Sequence, residues 1–143
     1  MSKGNVFEND LLNLILRAVA IANIADNAAT GPLTNLFVAF HTADPGDAGS
    51  QTTSECTYTG YARIAVPRTT GGWSAPTTGS SSPAAAITGG ACTAGINTIT
   101  HWSLGTLVSG VGKILYKGTV TPNIAVTNGV TPSLSTATSI TED

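Results

Sequence analysis

The chain has 143 residues, enough for one domain with a real core. Charged residues are only 10% of it, against roughly 25% in an average soluble protein, and six Lys and Arg against eight Asp and Glu leave a formal net charge of -2. No cationic field exists to hold a phosphate backbone or an anionic bilayer, so neither nucleic acid nor membrane is an expected partner. Two cysteines, Cys56 and Cys92, are too few for a disulfide scaffold, and neither has a Cys or His at metal-ligand spacing, so no metal site and no cofactor are expected.

The charges are unevenly placed. No Asp, Glu, Lys or Arg occurs between Arg68 and Lys113, nor between Lys117 and Glu142. Hydroxyls, amides and backbone must cover that surface, where a free-standing protein usually spreads both charge signs. Two readings carry equal weight: an interface-rich structural protein buried in an assembly, or a Thr-rich β-domain exposing its hydroxyl-bearing faces.

One helix is predicted, over residues 8–25. From Asp10 the sequence LLNLILRAVAIAN holds no Gly or Pro, Asn9 or Asp10 can cap it, and Glu8 and Asp10 suit the positive end of the helix dipole. Leu11, Leu12, Ile15, Val19 and Ala22 make one apolar face, widened by Leu14, Ala18 and Ile21; Asn13 and Arg17, four apart, form the polar ridge. The face of Leu11, Leu12, Ile15 and Val19 is expected to be buried, under the β-domain or against a second subunit, so Leu12→Asp should unfold the domain or split the oligomer. The run is interrupted and shorter than the roughly 20 residues that a bilayer core requires. It also lacks the positive lead of a signal peptide, although Ala20-Ile21-Ala22 and Asn23-Ile24-Ala25 resemble cleavage sites. Synthesis in the cytoplasm, with reduced and unbridged thiols, is the expectation.

After Asn27 short β-type runs alternate with turn signals, as in a sandwich or barrel. Gly31-Pro32 precedes Leu36 to Thr42, a run too apolar for a half-exposed strand and so predicted to be central. Asp44-Pro45-Gly46 reads as a tight turn, followed by a polar loop to Glu55. In the strand from Tyr61 to Val66, alternation sets Tyr61, Arg63 and Ala65 on one side. Gly71-Gly72 turns the chain into Trp73, and Thr77 to Pro83 reads as a mobile loop. Further strands are predicted at Ala84 to Thr88, Ile96 to Leu104 and Lys113 to Val120. Asn128-Gly129, between Val120-Thr121-Pro122 and its echo Val130-Thr131-Pro132, is a strong hairpin signal. The predicted class is all-β: a jelly-roll-like antiparallel β-sandwich over residues 33–135 with one N-terminal α-helix, in a single domain spanning 1–143.

No catalytic constellation stands out. His41, His101, Asp44 and several serines invite a Ser-His-Asp reading, but no Gly-x-Ser-x-Gly elbow presents a nucleophile, and both histidines read better as hydrogen-bonded packing residues. Asp44, Asp47 and Glu55 lie in a Gly/Ser/Thr-rich loop and are read as solvated rather than as a paired-carboxylate site. The glycines at 89, 90, 105, 110 and 112 fall among β-formers and open no helix, so they make no phosphate loop. Trp73, Trp102, Tyr58, Tyr61 and Tyr116 have the chemistry to stack on sugars, but so few aromatics are more simply core. No catalytic residue is assigned.

The stretch from Leu36 to Gln51, with Tyr58-Thr59-Gly60-Tyr61-Ala62-Arg63, Val66-Pro67-Arg68 and Gly72-Trp73, resembles a family of small tailed-phage virion proteins. So do His101-Trp102-Ser103-Leu104-Gly105-Thr106, Gly112-Lys113-Ile114-Leu115-Tyr116 and Asn128-Gly129-Val130-Thr131-Pro132. Members are often labelled tail-fibre proteins, and in size and fold the chain also resembles the jelly-roll cement protein of a podovirus capsid. That resemblance implies a head-decoration (cement) protein on the surface of an HK97-type shell, homodimeric, with the major capsid protein and a second copy of itself as partners, assembled in the host cytoplasm. Its contacts should then be weakly salt-dependent. The alternative is a tail-fibre or receptor- or glycan-binding module.

Overall fold

The computed structural model describes residues 5–21 and 33–142. It is an all-β protein with one helix, as the sequence predicts. The helix α1 spans Asn5–Arg17, followed by strands β1 (Asn35–His41), β2 (Ile64–Pro67), β3 (Ser80–Ser81), β4 (Ile87–Thr88), β5 (Asn97–Gly105), β6 (Ile114–Val126), β7 (Ser133–Leu134) and β8 (Ile140–Thr141). Hydrogen bonding arranges them as one four-stranded sheet, β2-β1-β5-β6, and two ribbons, β3-β8 and β4-β7. These pairings do not by themselves draw the two four-stranded layers of a regular jelly roll. The contacts divide into two compact units interleaved in sequence. Among the described residues, the first holds 5–21, 33–35, 67–86 and 134–142; the second holds 36–66 and 87–133.

In the first unit, α1 buries Leu12 and Leu16 completely, and Trp73, Leu134 and Ile140 complete the core. The helix is displaced from the predicted 8–25. It begins earlier, so Asn9 is no cap; its Oδ1 instead accepts the N–H of Gly79 at 2.7 Å. It also stops earlier, at Arg17, and positions 22–25 of the expected helix lie outside the described residues. No Gly or Pro ends it. Ala18 takes a left-handed φ of 57°, the Val19 N–H reaches back to the Asn13 carbonyl at 3.1 Å, and the Arg68 guanidinium donates to the carbonyls of Leu14 and Ile15. A left-handed residue just past the last turn is a common form of helix stop, and a cation at the C-terminal carbonyls complements the dipole. Arg17 Nη1 donates to Asn13 Oδ1 at 2.6 Å, so the predicted polar ridge is hydrogen-bonded.

Thr77 to Pro83, predicted as a mobile loop, contains a two-residue hairpin turn. Thr77 and Ser80 exchange both backbone hydrogen bonds, with Thr78 at φ 48° and Gly79 at φ 71°. Both central residues are left-handed, the geometry that suits the twist of paired strands. A side chain at position 79 would also sit 2.7 Å from the Glu142 carbonyl and 2.8 Å from Glu8 Oε2, so only glycine fits. The tight packing follows from Ser80–Ser81 pairing with β8 and lying against the helix.

In the second unit, β1 lies between β2 and β5, and Val38 to His41 are fully buried, as the unbroken apolar run predicts. β1 and β5 pair antiparallel with Phe40 opposite Trp102 and His41 opposite His101. β5 and β6 form a long antiparallel hairpin with irregularities at Ile99/His101 and Leu104/Gly105. Asp44-Pro45-Gly46 is an Asx turn: Asp44 Oδ1 accepts the Gly46 N–H at 2.9 Å. Asn128-Gly129 does turn the chain, with Val130 N–H bonded to the Thr127 carbonyl, but it makes no hairpin with β6. Cys92 instead exchanges backbone hydrogen bonds with Gly129 and Val130. Gly129 alone has positive φ, 88°, where the hairpin type favoured by Asn-Gly needs two such residues.

Candidate functional site

Two loops of the second unit meet around one arginine. Residues 51–55 follow the Asx turn, and residues 106–113 join β5 to β6. Arg63, 7% exposed, uses every N–H of its guanidinium. Nε and Nη2 grip Glu55 in a fork at 2.7 and 2.8 Å. Nη2 also donates to the Gly110 carbonyl at 2.7 Å, and Nη1 donates to the Leu107 carbonyl at 3.0 Å and to Gln51 Oε1 at 3.4 Å. The planar fork is why arginine, rather than lysine, can serve a carboxylate and two carbonyls together. The Glu55 bond holds its charge further above the usual arginine range.

Tyr61 Oη donates to Glu55 Oε1 at 2.7 Å and accepts the Phe40 N–H at 3.2 Å. Burial first, and the carboxylate second, raise the Tyr61 phenol. Glu55, read from its loop as solvated, is instead a half-buried, fully engaged partner, its side chain 16% exposed. Alternation set Tyr61 and Arg63 on one side, and their shared carboxylate is what that pattern concealed. Asp44 and Asp47 remain at the surface, both paired with Lys117, at 3.0 and 3.3 Å.

Gln51 was missed. It is fully buried, donating from Nε2 to the Phe37 carbonyl at 2.9 Å and accepting the Leu107 N–H at 3.3 Å, while its own N–H bonds the Gly112 carbonyl at 3.0 Å. The space for this side chain is left by Gly105 and Gly112, where a Cβ would overlap it. Glu55, Tyr61, Arg63, Thr57, Val108 and Ser109 line an open cleft of about 440 Å³.

His41 is a packing group, as predicted, while His101 is half-buried, its Nδ1 2.9 Å from Thr100 Oγ1. His41 Nδ1 faces the Thr53 carbonyl at 2.8 Å and must donate to it, so Nε2 accepts from Ser103 Oγ at 2.8 Å. This resembles a serine–histidine pair, but both residues are 0% exposed, so no substrate reaches them. Burial pushes the His41 pKa down. Cys56 and Cys92 are free and buried, and desolvation raises the Cys56 thiol to about 12, which removes it as a nucleophile. Trp73, Trp102 and Tyr58 are buried, while Tyr61 and Tyr116 are half-buried, so the first three offer no stacking face to a sugar.

Of the helix residues singled out in the sequence, Leu12 is buried, Leu11 and Ile15 are half-buried, and Val19 is 46% exposed beyond the helix end. Leu16 takes the second buried position because the early stop removes the turn that would have carried Val19. No cluster of metal-binding side chains and no helix long and apolar enough to cross a membrane occur among the described residues.

No curated protein matches the chain. A family model, described as podophage GP4 fiber I protein gp80, matches residues 2–141. With all but its first and last few residues matched, the chain belongs to the podophage GP4 fibre I protein gp80 family.

Proposed function

We propose that the protein is a subunit of a podophage fibre and works by buried contact rather than by catalysis. The observation that carries this is the family match across residues 2–141, which makes the chain a structural phage protein and a virion component. The geometry supports it: the serine–histidine pair is sealed, the Glu55 carboxylate is committed to Arg63 and Tyr61, and the charge-poor stretches leave a surface suited to apolar and backbone contact. Sugar binding through the tryptophans would require opening the core. A second reading, a cement protein docked as a dimer on major capsid subunits, rests on the likeness of the Leu36 to Gln51 stretch to the small virion family. The test is quantitative mass spectrometry of purified particles, separated into tailless heads and complete virions. A fibre subunit is found in complete virions and is depleted from tailless heads. Retention on tailless heads at high copy number would contradict the fibre placement and favour cement.

A further inference from the structure

The loop from β5 to β6 is apolar at its tip and unusually well held. Val108 is 62% exposed, Val111 76% and Leu107 44%. Buried Arg63 fixes the carbonyls of Leu107 and Gly110, buried Gln51 fixes Leu107 N–H and the Gly112 carbonyl, and Thr106 N–H bonds the Lys113 carbonyl at 3.2 Å. Two of the few buried polar side chains among the described residues are thus spent on presenting aliphatic groups to solvent. A rigid apolar knob loses little conformational entropy on docking, which is the condition for a contact hot spot. Beside it stands Lys113, exposed and without a side-chain partner among the described residues, whereas Lys117 is neutralised by Asp44 and Asp47.

We infer that this tip is the docking knob for a neighbouring virion protein that offers an apolar pocket with a carboxylate at its rim. The inference rests on the virion reading above and adds the surface and the chemistry of its partner. Charge complementarity selects that occupant. In a two-fold contact between tips of two copies, the Lys113 ammonium groups would face one another. A lipid surface would call for a basic cluster and interfacial aromatics, and the tip has one lysine and neither Trp nor Tyr.

The test complements phage lacking this gene with wild type, Val111→Asp, Lys113→Glu or Ile96→Asp, then counts copies per purified particle. Ile96, 77% exposed just before β5 begins, is the control for apolar exposure alone. Val111→Asp is expected to lower incorporation about tenfold or more, Lys113→Glu a few-fold, and Ile96→Asp not at all. Purified Val111→Asp should melt with wild type; if it does not fold, Val111→Ser takes its place. Full incorporation of the Val111 variant, or an equal loss with Ile96→Asp, overturns the knob. So does wild type that self-associates in sedimentation while Val111→Asp is monomeric, or wild type that binds phosphatidylglycerol vesicles through Val111. Absence of the wild-type chain from particles would instead sink the virion reading itself.

Discussion

Arg68 Nε donates to the carbonyl of Ile15, 53 residues earlier in the chain, at 2.5 Å, and its Nη2 reaches the Leu14 carbonyl at 2.6 Å. One side chain thereby satisfies two of the orphan carbonyls at the end of α1. Arg68→Ala should cost about 2–3 kcal/mol, the scale of hydrogen bonds to a charged donor with the dipole contribution, and Arg68→Lys should recover less than half of it. Urea unfolding measures both; an unchanged midpoint would remove Arg68 from the helix stop.

Ala18 is the companion case. It holds a left-handed φ of 57° with a side chain that disfavours it, so Ala18→Gly should stabilise the protein by about 1 kcal/mol. Loss of stability on that change would mean that the stop is not set at residue 18.

These two residues show what the sequence could not reveal. The helix was legible in type, because its apolar positions are periodic, but its stop is written in Arg68 and in a left-handed alanine, neither of which is a local signal. β1 was legible as central because an unbroken apolar run admits no solvent face. Glu55 was misread because its neighbours are loop-formers, while the partners that bury it, Tyr61 and Arg63, lie six and eight residues on. Asn128-Gly129 announced a turn correctly, yet its continuation pairs with Cys92, and no local propensity names that partner.

The Glu55–Arg63 fork should behave as one unit. Arg63→Met leaves the half-buried Glu55 carboxylate with the Tyr61 hydroxyl as its remaining side-chain partner, takes the donor from two loop carbonyls, and should cost about 3 kcal/mol, with Glu55→Gln somewhat milder. The double variant should cost well below the sum of the two, because removing both partners leaves no orphaned charge. A double-mutant cycle on unfolding free energies checks this, and strict additivity would contradict the coupling.

His41 makes stability depend on pH. Its folded pKa lies below the ordinary 6.5 because burial opposes charge, with Arg63 and His101 adding to that and the Thr53 carbonyl and Glu55 opposing it. The unfolded chain therefore binds the proton more readily, so the stabilisation is complete above about pH 6.5 and declines as pH falls through that value toward the folded pKa. Protonated Nε2 would also have to donate to Ser103, displacing the hydroxyl hydrogen. Unfolding midpoints should fall between about pH 7 and pH 5.5, and His41→Asn should flatten that slope. An equal slope in the variant would assign it to other groups.

Both thiols should be silent in the native state. Cys56, raised to about 12, and Cys92, buried, should resist iodoacetamide at pH 8, and both should label fully after denaturation without reductant. A native mass two hydrogens short would show a disulfide and contradict the free-thiol structure.

Cryo-electron microscopy of the purified particle tests the central claim most directly. The account predicts density for this chain in a tail-associated fibre, with the tip of Val108 and Val111 seated in an apolar pocket of a neighbouring subunit. Density for this chain on the icosahedral shell, or a fibre whose contacts leave that tip in solvent, would contradict it.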